Sequence, residues 1–428
     1  MRTASVLVGC LLALPFAIAA CSDGPVTPAP GTETSSGSGA NSGTGGSGGD
    51  DGTGGSGASS SQGGGGTGGE GGEGGASACT PEGPFDGDPI NATPETWTWV
   101  GVPEAHCRNR SETGFGIRLN PASDKLVIFL EGGGACFNGA TCLANPQAYT
   151  EQNFNTWKGG NGPGGILDND NDDNPVRDWN MVFVPYCTGD VHSGNATGVN
   201  VPGLGAPQNQ SFVGYANIGH YLRRIIPTLP ELSQVLLTGT SAGGFGAAFN
   251  YDRVAQAFCP TPVTLVDDSG PVMSDEYLAP CLQQRWRTLW GLDGTLPADC
   301  AECTPSNGGG LLNYTVYLGS KYPERRLGLI SSLQDNTIRT FYSYGNNNCA
   351  GIEGLPGSMT GAAYTAGLTE LRDDYLTSTT SWASYYMSGT AHTILGGNGY
   401  YSTTVAGVSL TGWVASLLDE APATHVSP

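Results

Sequence analysis

The pattern of apolar and polar positions divides the chain into three parts. An apolar run over residues 6–20 is followed by a polar stretch without periodicity to about residue 77, and from Cys79 onward apolar runs alternate with helical patterns. Lys125-Leu126-Val127-Ile128-Phe129-Leu130 is a continuous apolar run ending in Gly132-Gly133-Gly134, as expected of a strand buried on both faces and followed by a tight loop. Residues 181–184, 235–238 and 263–266 repeat this pattern, and residues 327–333 predict a later strand. Between them, residues 217–226 place Ile218, Tyr221, Leu222 and Ile225 at helical spacing, and residues 242–257 predict a second helix. The alternation predicts an α/β fold, a mostly parallel sheet with helices on both faces and long disulfide-linked loops.

The first apolar run is too short to span a bilayer, which takes about 20 apolar residues. After Met1-Arg2-Thr3 it predicts a signal peptide over residues 1–20. Its end, Ile18-Ala19-Ala20-Cys21, resembles a bacterial lipobox. Cys21 is therefore expected to be lipidated, anchoring an exported lipoprotein to a membrane of the cell envelope or cell surface; the alternative is ordinary cleavage near Ala20 with Cys21 a free thiol. Residues 21–78, almost wholly Gly, Ser, Thr and Ala, cannot bury enough apolar surface to offset chain entropy. They are expected to form a tether of about 55 residues with a root-mean-square span of roughly 40 Å. Residues 79–428 then form one domain.

Ten of the 12 cysteines lie in that domain, an even number that favours disulfides in an exported chain. Only the local pair Cys136 and Cys142 can be assigned from spacing. Cys300-Ala-Glu-Cys303 alone could form half a zinc site or a redox motif, but no matching His or second such pair completes it, so a structural disulfide is expected. Acids outnumber bases by 38 to 17, giving a net charge of -21. Such a domain repels nucleic acid and anionic lipid at low salt, and a heavily charged pectin backbone is an awkward substrate for it.

Gly239-Thr240-Ser241-Ala242-Gly243 fits G-x-S-x-G between a predicted strand and a predicted helix. A sharp turn there lifts the Ser241 hydroxyl above the sheet as a nucleophile; the competing reading is a glycine-rich turn with a capping serine. The hydroxyl needs a base later in the chain. Of 5 histidines, His106, His192 and His220 precede Ser241, and His425 sits in a polar tail, which leaves His392 in Gly389-Thr390-Ala391-His392-Thr393. Asp335, following the 327–333 strand, is the expected acid, with Asp268 and then Asp267 as rivals at the end of the preceding strand. Oxyanion donors are expected from the N–H groups of Ala242 and of Gly133, Gly134 and Ala135.

These stretches resemble the pectin acetylesterase family, which includes the animal carboxylesterase Notum. The matching residues are Phe129-Leu130-Glu131-Gly132-Gly133-Gly134-Ala135-Cys136-Phe137-Asn138 with Cys142, Asp178-Trp179-Asn180, and Val184-Pro185-Tyr186-Cys187-Thr188-Gly189-Asp190. Ser241-Ala242-Gly243-Gly244, the Asp335 stretch and His392 follow in family order. The resemblance implies a Ser-Asp-His hydrolase of oxygen esters on an α/β-hydrolase-like fold. Plant members usually carry Trp where this chain has Ala135, which bears on the acyl pocket.

The leading expectation is deacetylation of an extracellular polysaccharide such as pectin through an acyl-Ser241 intermediate, with no metal or cofactor. One alternative removes longer acyl chains from lipids or lipidated proteins; another is a non-catalytic surface binding module. The segment Asp168-Asn169-Asp170-Asn171-Asp172-Asp173-Asn174 has the look of a calcium loop, but Asp173 and Trp179 stand where an EF-hand needs Gly and Glu, so a solvated acidic loop is expected, with a calcium site of another kind as the alternative.

Overall fold

A computed structural model of the chain describes residues 83–428. The expected signal peptide, Cys21 and the tether over residues 21–78 lie outside the described residues. Among the described residues the main sheet has nine strands: β1 (Thr98–His106), β2 (Glu112–Arg118), β3 (Lys125–Leu130), β4 (Asn180–Val184), β5 (Gln234–Thr240), β6 (Val263–Asp268), β7 (Leu327–Ser332), β8 (Trp382–Met387) and β9 (His425–Val426). Their order is β1-β2-β4-β3-β5-β6-β7-β8-β9. The β1–β2 and β2–β4 pairs are antiparallel, and every later pair is parallel.

All five apolar runs read from the sequence are strands of this sheet. The alternation along β3 shows why such a run is needed. Leu126, Ile128 and Leu130 pack in one core cluster with Ile218, Leu222 and Val254, whereas Val127 and Phe129 pack in a second with Leu236, Val266, Trp413 and Leu417. The first cluster includes residues of helices α1 (Gly214–Thr228) and α2 (Ala242–Phe258), and the second includes residues of α3 (Leu410–Leu418). Each such side chain contributes about 1.5–3 kcal/mol on full burial. The result is an α/β-hydrolase-like fold with helices on both faces. Helix α1 begins three residues before the periodic stretch because Gly214 N donates to the buried Asp190 carboxylate at 2.7 Å, an anchor that local periodicity does not reveal.

Four disulfides join Cys107 to Cys187, Cys136 to Cys142, Cys281 to Cys349 and Cys300 to Cys303, and Cys259 is also disulfide-bonded. His425 departs from the reading of a polar tail. It lies in β9, paired with β8, and its Nδ1 is 3.0 Å from Ser384 Oγ. A two-residue strand carries no periodicity of its own and forms only because β8 offers an unpaired edge. No helix among the described residues is long and apolar enough to cross a membrane.

Candidate active site

Strand β5 ends at Thr240 and α2 begins at Ala242, so Ser241 alone makes the turn, with φ 57° and ψ -118°. A non-glycine residue held there stores of order 1–3 kcal/mol of backbone strain. The turn closes against β3: a Cβ on Gly243 would stand 1.9 Å from Leu130 O, and one on Gly239 would stand 2.3 Å from Gly243 O. Ser241 occupies the N-cap position of α2, yet its side chain makes no capping hydrogen bond, and it lines a cavity. The capping explanation for the serine therefore fails.

Asp335 and His392 meet at the ends of the adjacent parallel strands β7 and β8. Past the strands the two loops stay laced together, with Leu333 N donating to Met387 O at 2.8 Å, Gln334 N to Gly389 O at 3.0 Å and Asn336 N to Thr390 O at 3.2 Å. Asp335 is fully buried and caps the helix Asn336–Tyr342: its Oδ1 accepts from Thr337 N at 2.8 Å and Ile338 N at 2.9 Å. Its other oxygen, Oδ2, lies 2.7 Å from His392 Nδ1. With Oδ2 accepting, Nδ1 carries the proton of a neutral imidazole and Nε2 is its unprotonated nitrogen.

The rival acid does something different. Asp268 Oδ2 accepts from the backbone N–H groups of Ile394 at 2.7 Å and Leu395 at 2.8 Å, and Ser269 Oγ donates to Asp268 Oδ1 at 3.0 Å. Thr393 N donates to Ser269 Oγ at 3.2 Å, and Ser241 N donates to Asp268 O at 2.7 Å. The Asp268-Ser269 dipeptide therefore ties the serine turn and the histidine loop to the same point. Burial pushes the Asp268 carboxyl up, opposed by those N–H groups. The adjacent Asp267 is pushed well above the carboxylate range by burial and by Asp268, and its Oδ1 has no hydrogen-bond partner among the described residues.

The glycine loop packs directly on the serine turn. A Cβ on Gly132 would stand 2.6 Å from Thr240 O and 3.1 Å from Ser241 Cβ. Gly134 takes φ 79°, the left-handed region that favours glycine. The adjoining cavity, about 540 Å³ including its mouth, is lined by Gly134, Ala135, Ser241 and Ala242 together with Val191, Phe245, Phe249, Val272, Leu278, Trp286, Trp290, Leu292, Leu311, Ile338, Phe341 and Tyr342. Gly133 is not among the lining residues. Ser241, Ala242, Gly134 and Ala135 thus come together at one cavity, with the Asp335–His392 pair tied to the serine turn through Asp268 and Ser269.

The acidic segment leaves Asp170, Asp172 and Asp173 open to solvent, and its hydrogen bonds are to its own chain. Asp168 Oδ1 accepts from Asp170 N at 2.9 Å, Asn171 Oδ1 accepts from Asp173 N at 3.0 Å, and Arg177 pairs with Asp172. No group of three or more His, Cys, Asp or Glu residues among the described residues is arranged to hold a metal ion. Sequence reasoning gave no role to Asn145, Tyr186, His192 or Ser269. Their contacts to the site cross as many as 124 residues of chain, as from Ser269 to Thr393, and leave no local pattern.

The model of the family described as Pectinacetylesterase matches residues 98–307, a segment containing the glycine loop and Ser241 and ending before Asp335 and His392. The palmitoleoyl-protein carboxylesterase notum2 of Xenopus laevis is 30% identical over 217 residues, which cover 46% of this chain and 43% of that protein. The palmitoleoyl-protein carboxylesterase NOTUM of Drosophila melanogaster is 29% identical over 219 residues, 47% of this chain and 32% of that protein. Its Homo sapiens counterpart is 32% identical over 154 residues, 35% of this chain and 30% of that protein. The chain thus spans less than half the length of these curated relatives. A solved structure of the Wnt deacylase Notum from Drosophila shares the fold, with a TM-score of 0.56 at 20% identity over 77% of this chain and 95% of that one.

Proposed function

From the premise that the chain is pectinacetylesterase-like and Notum-like, we propose that it is a serine carboxylic-ester hydrolase that removes a long acyl chain from a lipid or a lipidated protein. The observation that carries the reading is the apolar cavity beside Ser241. Its lining is almost wholly apolar, with Phe245, Phe249, Trp286, Trp290 and Phe341 around the serine, a surface suited to an acyl chain and not to a sugar. The names of the relatives, palmitoleoyl-protein carboxylesterases, point the same way. The Pectinacetylesterase description favours an acetylated polysaccharide instead. Against that stand the cavity and the net charge of -21, which opposes a polyanionic backbone. The disulfides fit an oxidising, extracytoplasmic setting.

In this reading Ser241 Oγ attacks the ester carbonyl while His392 Nε2 takes its proton, and the imidazolium that forms is held by Asp335. The carbonyl oxygen becomes an oxyanion that accepts from the N–H groups of Ala242 and of the glycine loop. His392 returns the proton to the leaving alcohol, giving acyl-Ser241. Water, deprotonated by His392, then releases the carboxylic acid and restores the serine.

Each methylene buried is worth about 0.8 kcal/mol, or about fourfold. For the full chain assayed on p-nitrophenyl esters of graded length, kcat/KM should climb by about that factor per methylene from acetate until the cavity is full. Ala135 lines the cavity and is buried, so Ala135→Trp should move the preference back toward acetate without disabling hydrolysis. A profile that peaks at acetate would reject the long-chain reading. Equal loss on short and long esters in Ala135→Trp would show that this residue does not border the acyl chain.

A further inference from the structure

The glycine loop belongs to neither helix nor sheet, yet several of its carbonyls are held by distant, largely buried side chains. Glu131 O lies 2.8 Å from His192 Nε2, Gly133 O accepts from Asn145 Nδ2 at 2.7 Å, and Gly134 O accepts from Tyr186 Oη at 2.8 Å. Further along, Cys136 O accepts from Trp290 Nε1 at 2.9 Å and Phe137 O from Arg285 Nη1 at 3.1 Å. The N–H groups of Gly133, Gly134 and Ala135, by contrast, donate to no other described residue. In a trans peptide C=O and N–H point in opposite directions. Pulling Gly133 O toward Asn145 and Gly134 O toward Tyr186 therefore turns the N–H groups of Gly134 and Ala135 the other way, and these two residues line the cavity with Ser241.

We propose that Asn145 and Tyr186, braced by His192, are positioning residues that aim the Gly134 and Ala135 N–H groups at the oxyanion formed on Ser241. The inference rests on the ester-hydrolase reading and adds to it the groups that preorganise its oxyanion site.

Two independent features support it. Tyr186 Oη also accepts from Val191 N at 2.9 Å, and Val191 and His192 hold φ values of 49° and 57°. Consecutive non-glycine residues in the left-handed region, one of them β-branched, cost of order 1–3 kcal/mol each and persist only where surrounding contacts impose them. Asp190 supplies those contacts, accepting from Thr188 Oγ1 at 2.5 Å, Gly194 N at 3.2 Å and Gly214 N at 2.7 Å. The protonation states also suit the task. Burial pushes the Tyr186 phenol well above its ordinary value, so Oη keeps its proton to donate. Burial lowers His192 to about 4, so a neutral imidazole donates Nε2–H to the Glu131 carbonyl, which can only accept.

The test is Tyr186→Phe and Asn145→Ala in the full chain, with Ser241→Ala as reference, each checked for thermal unfolding. Hydrolysis of p-nitrophenyl butyrate and inhibition by an alkyl trifluoromethyl ketone, which forms a tetrahedral adduct on a serine, are measured. Removing one oxyanion donor outright costs about 10²–10³ in kcat, so misaiming donors should cost about 10- to 100-fold. Affinity for the ketone should fall by a similar factor while KM changes less than about threefold. Either variant alone, if folded, decides the matter. An unchanged kcat in a folded variant, or a rise in KM alone, overturns the positioning role and leaves the hydrolase reading intact. Undiminished activity in Ser241→Ala overturns both.

Discussion

Ser241→Ala should lower kcat for ester hydrolysis by about 10⁴- to 10⁶-fold and leave the fold unchanged. The two halves of this expectation come from the same geometry. The Ser241 hydroxyl caps nothing and faces the cavity, so removing it costs little packing. Alanine has the same Cβ, so the turn at φ 57° is no more strained than before. What is lost is the atom that forms the acyl-enzyme. A folded Ser241→Ala protein that keeps more than a few per cent of its activity would remove Ser241 from the chemistry. A wild-type chain that binds acylated ligands but turns over no ester would instead support the binding-module alternative.

The second large effect separates Asp335, the acid expected from sequence, from its first rival, Asp268. In Asp335→Asn the amide oxygen can still cap the helix at Thr337 and Ile338, so folding should survive. Its NH₂ group would then face His392 Nδ1 at the position Oδ2 holds, selecting the tautomer with the proton on the wrong nitrogen. Turnover should fall by about 10⁴-fold. Asp268→Asn keeps one oxygen for the N–H groups of Ile394 and Leu395 but disturbs a buried bracket. Its cost should fall mainly on stability, by about 1–3 kcal/mol, with a far smaller loss of kcat. The paired measurement is kcat and the unfolding midpoint for both variants. The reverse ranking, with both proteins folded, would transfer the acid role to Asp268.

Much of the scaffold was legible because both faces of the central strands are buried, which forces continuous apolar runs such as 125–130 and 263–266 into the sequence. The serine turn was legible for a related reason: Gly239 and Gly243 leave no space for a Cβ, and crowding of that kind writes glycines at fixed spacing. His392 emerged by elimination from 5 histidines. The outer strands were less legible. In β1 buried Val100 and Val102 alternate with exposed Gly101 and Pro103, while β9 has two residues. The bracket formed by Asp268 left no trace in the sequence, and of the side chains behind the glycine loop only Tyr186 fell in a stretch that carried the resemblance, with no role attached to it. A carboxylate at a strand end reads the same whether it orients an imidazole or ties down a loop, and only the fold shows which.

The central claim, that an acyl group passes through Ser241, is tested most directly by incubating the full chain with an alkyl fluorophosphonate and mapping the adduct by peptide mass spectrometry. Such a reagent phosphonylates a serine only where a base has activated it and an oxyanion site receives the phosphoryl oxygen. One adduct per chain is expected, on the peptide containing Ser241, with ester hydrolysis lost in proportion to labelling and no adduct in Ser241→Ala. Labelling at another residue, or hydrolysis that persists after Ser241 is fully modified, would contradict it.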